Sequence, residues 1–221
     1  MNKFELIPRI VENKDWLTIL FIVTIALVVV IKNAFEKRFE DFVSLLFNNR
    51  YLKIYKDNSN LLSWFTILMF VVQILSLTFF CQLVLSVFGY TTKTNWITFI
   101  QIFTFLLFFT LSKFLIEKII ATSFNIESFV EQFNLVKVSY RTNIGLFLMP
   151  VNLFLYYTNF LNKQIIIVIL AILLLINVIT YVSSLRNYQN LLIGKLFYFI
   201  LYICALEIAP YYFIYYAITN T

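Results

Sequence analysis

The stretch Leu201–Pro210, LYICALEIAP, decides how the rest of the chain is interpreted. Glu207 lies in the middle of an apolar helix, and Pro210 follows three residues later. An ionisable group at mid-membrane is costly, so it normally faces the protein interior and has a partner there. The proline removes one backbone hydrogen bond and bends the helix beside the acid. We therefore expect the other helices to enclose this one.

The composition of the chain is that of an integral membrane protein. Hydrophobic residues make up 62% of the 221 residues and charged residues only 13%, whereas roughly a quarter of a soluble domain is charged. This predicts an all-α fold, a single polytopic helix bundle in a lipid bilayer. The basic residues behind the net charge of +6 are dispersed among loops. Nucleic acid is therefore not an expected partner.

Residue types that do not occur in the sequence limit the kinds of active site that the chain can form. The chain has no histidine, which excludes histidine-based triads and most zinc or haem sites. Its two cysteines, Cys81 and Cys204, lie in apolar segments and indicate neither a disulfide framework nor a metal cluster. Three isolated glycines form no phosphate-binding loop. The sequence thus predicts no catalytic residue, no metal, no cofactor and no enzymatic activity.

Apolar runs predict about six membrane spans with two amphipathic helices between them. The spans are about 16–31, 61–88, 96–120, 141–160, 164–184 and 194–218. In 33–47 and 123–140, apolar residues recur at helical spacing against charged ones. We expect both amphipathic segments to lie on the membrane surface. Docking of a partner protein is the alternative for these segments.

Orientation follows from the distribution of lysine and arginine between the two sides of the bilayer. The first, third and fifth connections carry twelve such residues: Lys32, Lys37, Arg38, Arg50, Lys53, Lys56, Lys113, Lys118, Lys137, Arg141, Arg186 and Lys195. The other side carries five: Lys3, Arg9, Lys14, Lys93 and Lys163. This asymmetry predicts periplasmic termini and cytoplasmic amphipathic segments.

Four polar residues fall at nearly the same depth when each span is measured from end to end. They are Gln73, Asn152, Asn177 and Glu207. Lipid offers no hydrogen bonds, so we expect these side chains to contact one another. Two helical stripes should face inward with them: Gly145, Met149, Asn152, Tyr156 and Asn159 in the fourth span, and Asn177, Thr180, Tyr181 and Ser184 in the fifth.

Two interpretations of this layer remain open. In the first, Glu207 is protonated and hydrogen-bonded to an amide, which fixes helix packing. In the second, Glu207 exchanges a proton or binds a cation along a path. Lys113 is a possible charge partner, although it can also reach the interface or pair with Glu117, and Arg141 is expected as an interface anchor. Cys204 is expected to be a small packing residue.

The spacing Cys204-x-x-Glu207-x-x-Pro210 resembles the C-terminal hallmark of an uncharacterised Bacteroidota membrane-protein family, domain of unknown function 4271. The stretch Tyr140–Pro150, YRTNIGLFLMP, and Lys113 are similar to other recurring positions of that family. Ala205 stands where a threonine is more often expected, so a hydroxyl group beside Glu207 is absent. The resemblance covers most of the chain. It implies residence in the inner membrane of a Gram-negative cell and implies no reaction.

The residues favour one function and leave another open. The amphipathic segments, together with the lack of catalytic groups, favour an accessory or scaffolding subunit of a cell-envelope assembly. Its partners would be membrane or envelope proteins. The alternative is a small transporter or channel that uses the polar layer around Glu207.

Overall fold

The computed structural model describes residues 15–46, 50–55, 63–123, 127–158 and 162–187, and these residues are all-helical. The helices are α1 (Asp15–Ala34), α2 (Glu36–Val43), a 3-10 turn (Ser44–Leu46), α3 (Arg50–Tyr55), α4 (Trp64–Val87), α5 (Trp96–Ser123), α6 (Glu127–Tyr157) and α7 (Lys163–Asn187). The predicted all-α class is confirmed.

Four of the described helices are long and apolar enough to cross a bilayer. They are α1, α4, α5 and the first 18 residues of α7, Lys163–Thr180. They coincide with the predicted spans 16–31, 61–88, 96–120 and 164–184, and they make this a multi-pass membrane protein. The predicted span 194–218 lies outside the described residues.

Helix α6 contains most of the predicted amphipathic segment 123–140 and most of the predicted span 141–160. It is one helix of 31 residues, about 46 Å long at the α-helical rise. In its first half Val130, Phe133 and Val136 are buried, so this half packs on protein. Lys137, one of the charged residues of the amphipathic pattern, is neutralised within the protein by Glu117.

The predicted amphipathic segment 33–47 forms α2 and the following 3-10 turn. Its apolar residues Phe42 and Leu45 are buried, in one core cluster with Ile31 of α1 and Phe65 and Met69 of α4. We expected this apolar face to lie on the membrane, but the structure packs it against the transmembrane helices.

Helix α4 is the centre of the bundle and packs most extensively on α6, with α5 and α1 on its other sides. Gly89, with φ of 84°, reverses the chain after α4, a conformation that glycine adopts without steric cost. Asn95 then starts α5 by accepting the backbone N–H groups of Ile97 and Thr98 at 3.0 and 3.3 Å. The start of α1 lies beside this turn, since Trp16 Nε1 donates to the Thr94 carbonyl at 3.2 Å.

Candidate functional site

The described polar groups inside the bundle lie mainly where α4 meets α6. We call this set the polar seam: Gln73, Ser76 and Gln82 on α4, and Thr142, Asn152 and Tyr156 on α6. All six residues are at most 5% exposed. Of the predicted layer, the seam contains Gln73 and Asn152.

Two hydrogen bonds of the polar seam involve Gln73 and Asn152. Thr142 Oγ1 donates to Gln73 Oε1 at 2.8 Å. Asn152 Nδ2 donates to the Ser76 carbonyl oxygen at 2.7 Å. Each bond joins α4 to α6 and uses a side chain that could not find a partner in lipid. Gln73 and Asn152 therefore serve the same interface, each through its own partner on the facing helix.

A glycine allows α4 and α6 to approach closely at the seam. A Cβ atom on Gly145 would lie 3.0 Å from the Gln73 Cα atom and 3.0 Å from its Cγ atom. Gly145, Met149, Asn152 and Tyr156 are all buried, which confirms the inward-facing stripe predicted for the fourth span. Asn159 of that stripe lies outside the described residues.

The seam continues towards the α4–α5 turn. Tyr156 donates its hydroxyl to Gln82 Oε1 at 3.1 Å. Gln82 Nε2 in turn donates to the Asn95 carbonyl at 2.8 Å. This chain of bonds connects α6, α4 and the residue that caps α5. Sequence reasoning missed Gln82 because it lies near the end of its span, away from the depth at which the polar layer was expected.

Near the middle of its length, α6 is also joined to the amphipathic α2. Asn143 Nδ2 donates to the Phe42 carbonyl oxygen at 2.6 Å. Within the part of the chain that the structure describes, three buried amide oxygens have no hydrogen-bond partner, those of Asn134, Asn143 and Asn152. Each is a free acceptor on α6, and buried acceptors of this kind weaken packing unless something donates to them.

The structure does not bring Asn177 to the polar seam. Its side chain is exposed among the described residues, and Nδ2 donates to the Leu173 carbonyl of its own helix at 2.8 Å. This corrects the expectation that Asn177 shares a layer with Gln73 and Asn152. The physical reason is that α7 contacts the bundle through other residues, such as the fully buried Ile166. The expectations for Tyr181 and Ser184 concern side chains outside those described.

A second polar group consists of charged residues between α5 and α6. Lys137 Nζ lies 2.6 Å from Glu117 Oε1, and the two side chains are only 8% and 3% exposed. Lys113, one turn before Glu117 on α5, is also buried. Arg141, one turn after Lys137, is half-buried.

The pairing of Glu117 with Lys137 was not predicted. Sequence reasoning considered Glu117 only with Lys113, because helical spacing relates residues within one helix and not residues on two helices. The other predicted site residues, Glu207, Cys204 and Pro210, lie outside the described residues.

A comparison of the chain with models of known protein families assigns it to one family. The model of the family described as a domain of unknown function, DUF4271, matches residues 17–218. The chain therefore belongs to this family. No curated protein and no solved structure matches the chain.

Proposed function

We propose that this member of the family is a non-enzymatic accessory or scaffolding subunit of a cell-envelope assembly. One observation supports this proposal above the others. The polar side chains at the α4–α6 interface are buried and hydrogen-bonded from one helix to the other. Polar groups used in this way fix the arrangement of helices. A transport path would instead require polar groups that face water.

The surface of the described bundle also suits a protein that binds neighbours within the membrane. Only 11% of the most apolar 18-residue stretch of α5 is buried, and only 6% of the corresponding stretch of α7. Lipid or another transmembrane helix would cover such faces. The location that we propose is the inner membrane, with periplasmic termini, because twelve of the seventeen basic residues fall on the side of the amphipathic segments.

Copurification of the tagged protein from its own cell tests the proposal. The complex is extracted in mild detergent or native nanodiscs and analysed by mass spectrometry beside an unrelated multi-pass protein. A reproducible partner in near-stoichiometric amount is the expected result. A clean monomer or homo-oligomer in both extractions would contradict the scaffolding role.

A small transporter or channel is the second candidate, and the charged group between α5 and α6 favours it. Lys113, Glu117 and Lys137 are buried together in a membrane protein, and intramembrane charges often mark ion or proton pathways. Flux of protons and small ions into proteoliposomes tests this role. Wild-type flux that is lost in Glu207→Gln or Glu117→Gln, with folding intact, would support transport. Flux equal to that of empty liposomes would exclude it for the ions tested.

A further inference from the structure

Arg38 lies where the membrane part of the bundle ends. Helix α1 ends at Ala34, the chain bends at Phe35, and α2 carries Arg38 back to the first turn of α4. Trp64, the first residue of α4, is 74% exposed, as is typical of a tryptophan at the membrane–water interface. Arg38 Nη2 lies 3.5 Å from Thr66 Oγ1, two residues further along α4. The guanidinium therefore lies level with the first turn of α4, the end of a membrane-spanning helix, where lipid headgroups are expected.

Aromatic rings hold the guanidinium in place. Its central carbon is 4.7 Å from the centroid of the Phe65 ring and 4.9 Å from that of Tyr55. Phe65 is fully buried and Tyr55 half-buried, so the rings come from the core and from α3. Contacts of this type orient a cation at modest energy, but they do not satisfy its N–H groups.

The hydrogen bonds of Arg38 are few and long. Nη2 donates to the Tyr51 hydroxyl at 3.4 Å and to Thr66 Oγ1 at 3.5 Å, both at the limit of a hydrogen bond. Nε is buried and has no acceptor among the described residues. An arginine carries five N–H donors in a planar fork that fits a carboxylate or phosphate. The described contacts leave most of this capacity unused.

No ion pair joins Arg38 to a carboxylate among the described residues. On the same helix Glu36 and Glu40 are exposed, and Asp41 is half-buried with an interaction of its own. The guanidinium in addition meets the first turn of α4, where the helix dipole is positive. Two positive features thus meet at one point, and a bound anion would stabilise both.

We propose that Arg38, between the Tyr55 and Phe65 rings, binds the phosphate of an anionic phospholipid headgroup. The phosphate accepts from the Nη groups, and the hydroxyls of Tyr51 and Thr66 lie beside it. Exposed Lys37 and Lys32 add general attraction to an anionic surface. This inference is independent of the proposed scaffolding role, since it requires only that the bundle resides in a bilayer.

Thermal unfolding of the full chain in an uncharged detergent tests the proposal. Short-chain phosphatidylglycerol is titrated, with short-chain phosphatidylcholine, whose headgroup is zwitterionic and has no net charge, as the control for net negative charge and inorganic phosphate as the lipid-free anion. Ligand that binds the folded state raises the melting temperature. We expect phosphatidylglycerol to stabilise the wild type more than phosphatidylcholine does. In Arg38→Gln its apparent affinity should fall about tenfold, the loss expected for hydrogen bonds to a charged group.

The matched control is Lys37→Gln, which removes the same charge from the preceding residue and should keep the wild-type response. Equal stabilisation of Arg38→Gln and wild type would overturn the proposal, as would an equal loss in Lys37→Gln. If inorganic phosphate alone reproduces the Arg38-dependent stabilisation, the site binds phosphate but the lipid source is refuted. Should Arg38→Gln not fold, Arg38→Lys keeps the charge without the planar fork. A full phosphatidylglycerol response in that variant contradicts the site.

Discussion

The polar contacts of α6 with α4 and with α5 use opposite chemistry. With α4, α6 shares neutral groups along the polar seam, each hydrogen-bonded at close range. With α5, α6 shares a buried ion pair, Glu117 with Lys137, at 2.6 Å. The neutral contact depends on close backbone approach at Gly145. The charged contact depends on two long side chains, each of which would be costly to bury alone.

This difference shows what each contact provides. A neutral seam can lose one bond and stay packed, because the remaining apolar contacts are unchanged. An ion pair that loses one partner leaves an uncompensated charge in a medium of low dielectric constant. We therefore expect the α5–α6 contact to be the more sensitive of the two to single substitutions, although it is the less extensive.

The largest effect is expected for Glu117→Ala. Lys137 then remains buried without its carboxylate, and removing one partner of a buried pair costs about 3–5 kcal/mol. The free energy of unfolding, measured by denaturant titration in mixed micelles, should fall by that amount. The double variant Glu117→Met/Lys137→Met, which removes both charges, should recover most of the loss. A single variant as stable as wild type would show that the pair contributes nothing.

An intermediate effect is expected for Gly145→Leu. The new side chain would occupy the space of Gln73, whose Cα atom would lie only 3.0 Å from a Cβ atom at position 145. Overpacking of this kind costs about 1–3 kcal/mol, and here it also forces the helices apart. The same assay should show Gly145→Ala to be less affected and Val151→Leu, at an exposed position of α6, to be neutral. An unchanged Gly145→Leu would contradict the close approach.

A smaller effect is expected for Asn152→Leu. It loses the bond to the Ser76 carbonyl, and interhelical hydrogen bonds in membranes contribute about 0.6–2 kcal/mol each. Part of that loss is offset because the buried Asn152 Oδ1, which has no partner among the described residues, is also removed. Comparison with Ser76→Ala checks the assignment, since the 2.7 Å bond to the Ser76 backbone oxygen should survive that substitution, which removes only the 3.4 Å contact to Ser76 Oγ.

The smallest effect is expected for Asn177→Leu. Its amide bonds to its own helix and is exposed among the described residues, so the change should lie within about 0.5 kcal/mol, as for most surface substitutions. Measured beside Asn152→Leu, it compares the same substitution on a buried and an exposed helix face. A loss at position 177 as large as at position 152 would show that Asn177 has a partner in the folded protein.

The position of the predicted elements could be derived largely from the sequence. The apolar runs of α1, α4, α5 and α7 identified their own spans, because about twenty apolar residues are stable as a helix in lipid whatever surrounds them. The stripe from Gly145 to Tyr156 was also readable, since helical periodicity shows which residues share a face. These features depend on local sequence alone.

Partner choice was decided by the tertiary structure. Depth and periodicity placed Gln73, Asn152 and Asn177 in one layer, but only the packing of α6 on α4, and of α7 through Ile166, separates the buried pair from the exposed residue. In the same way, helical spacing offered Lys113 as the partner of Glu117, whereas the packing of α6 on α5 pairs Glu117 with Lys137. The local sequence determines the cost of removing a group from water. Which partner offsets that cost depends on which helices become neighbours. The packing of the helices decides which ones do.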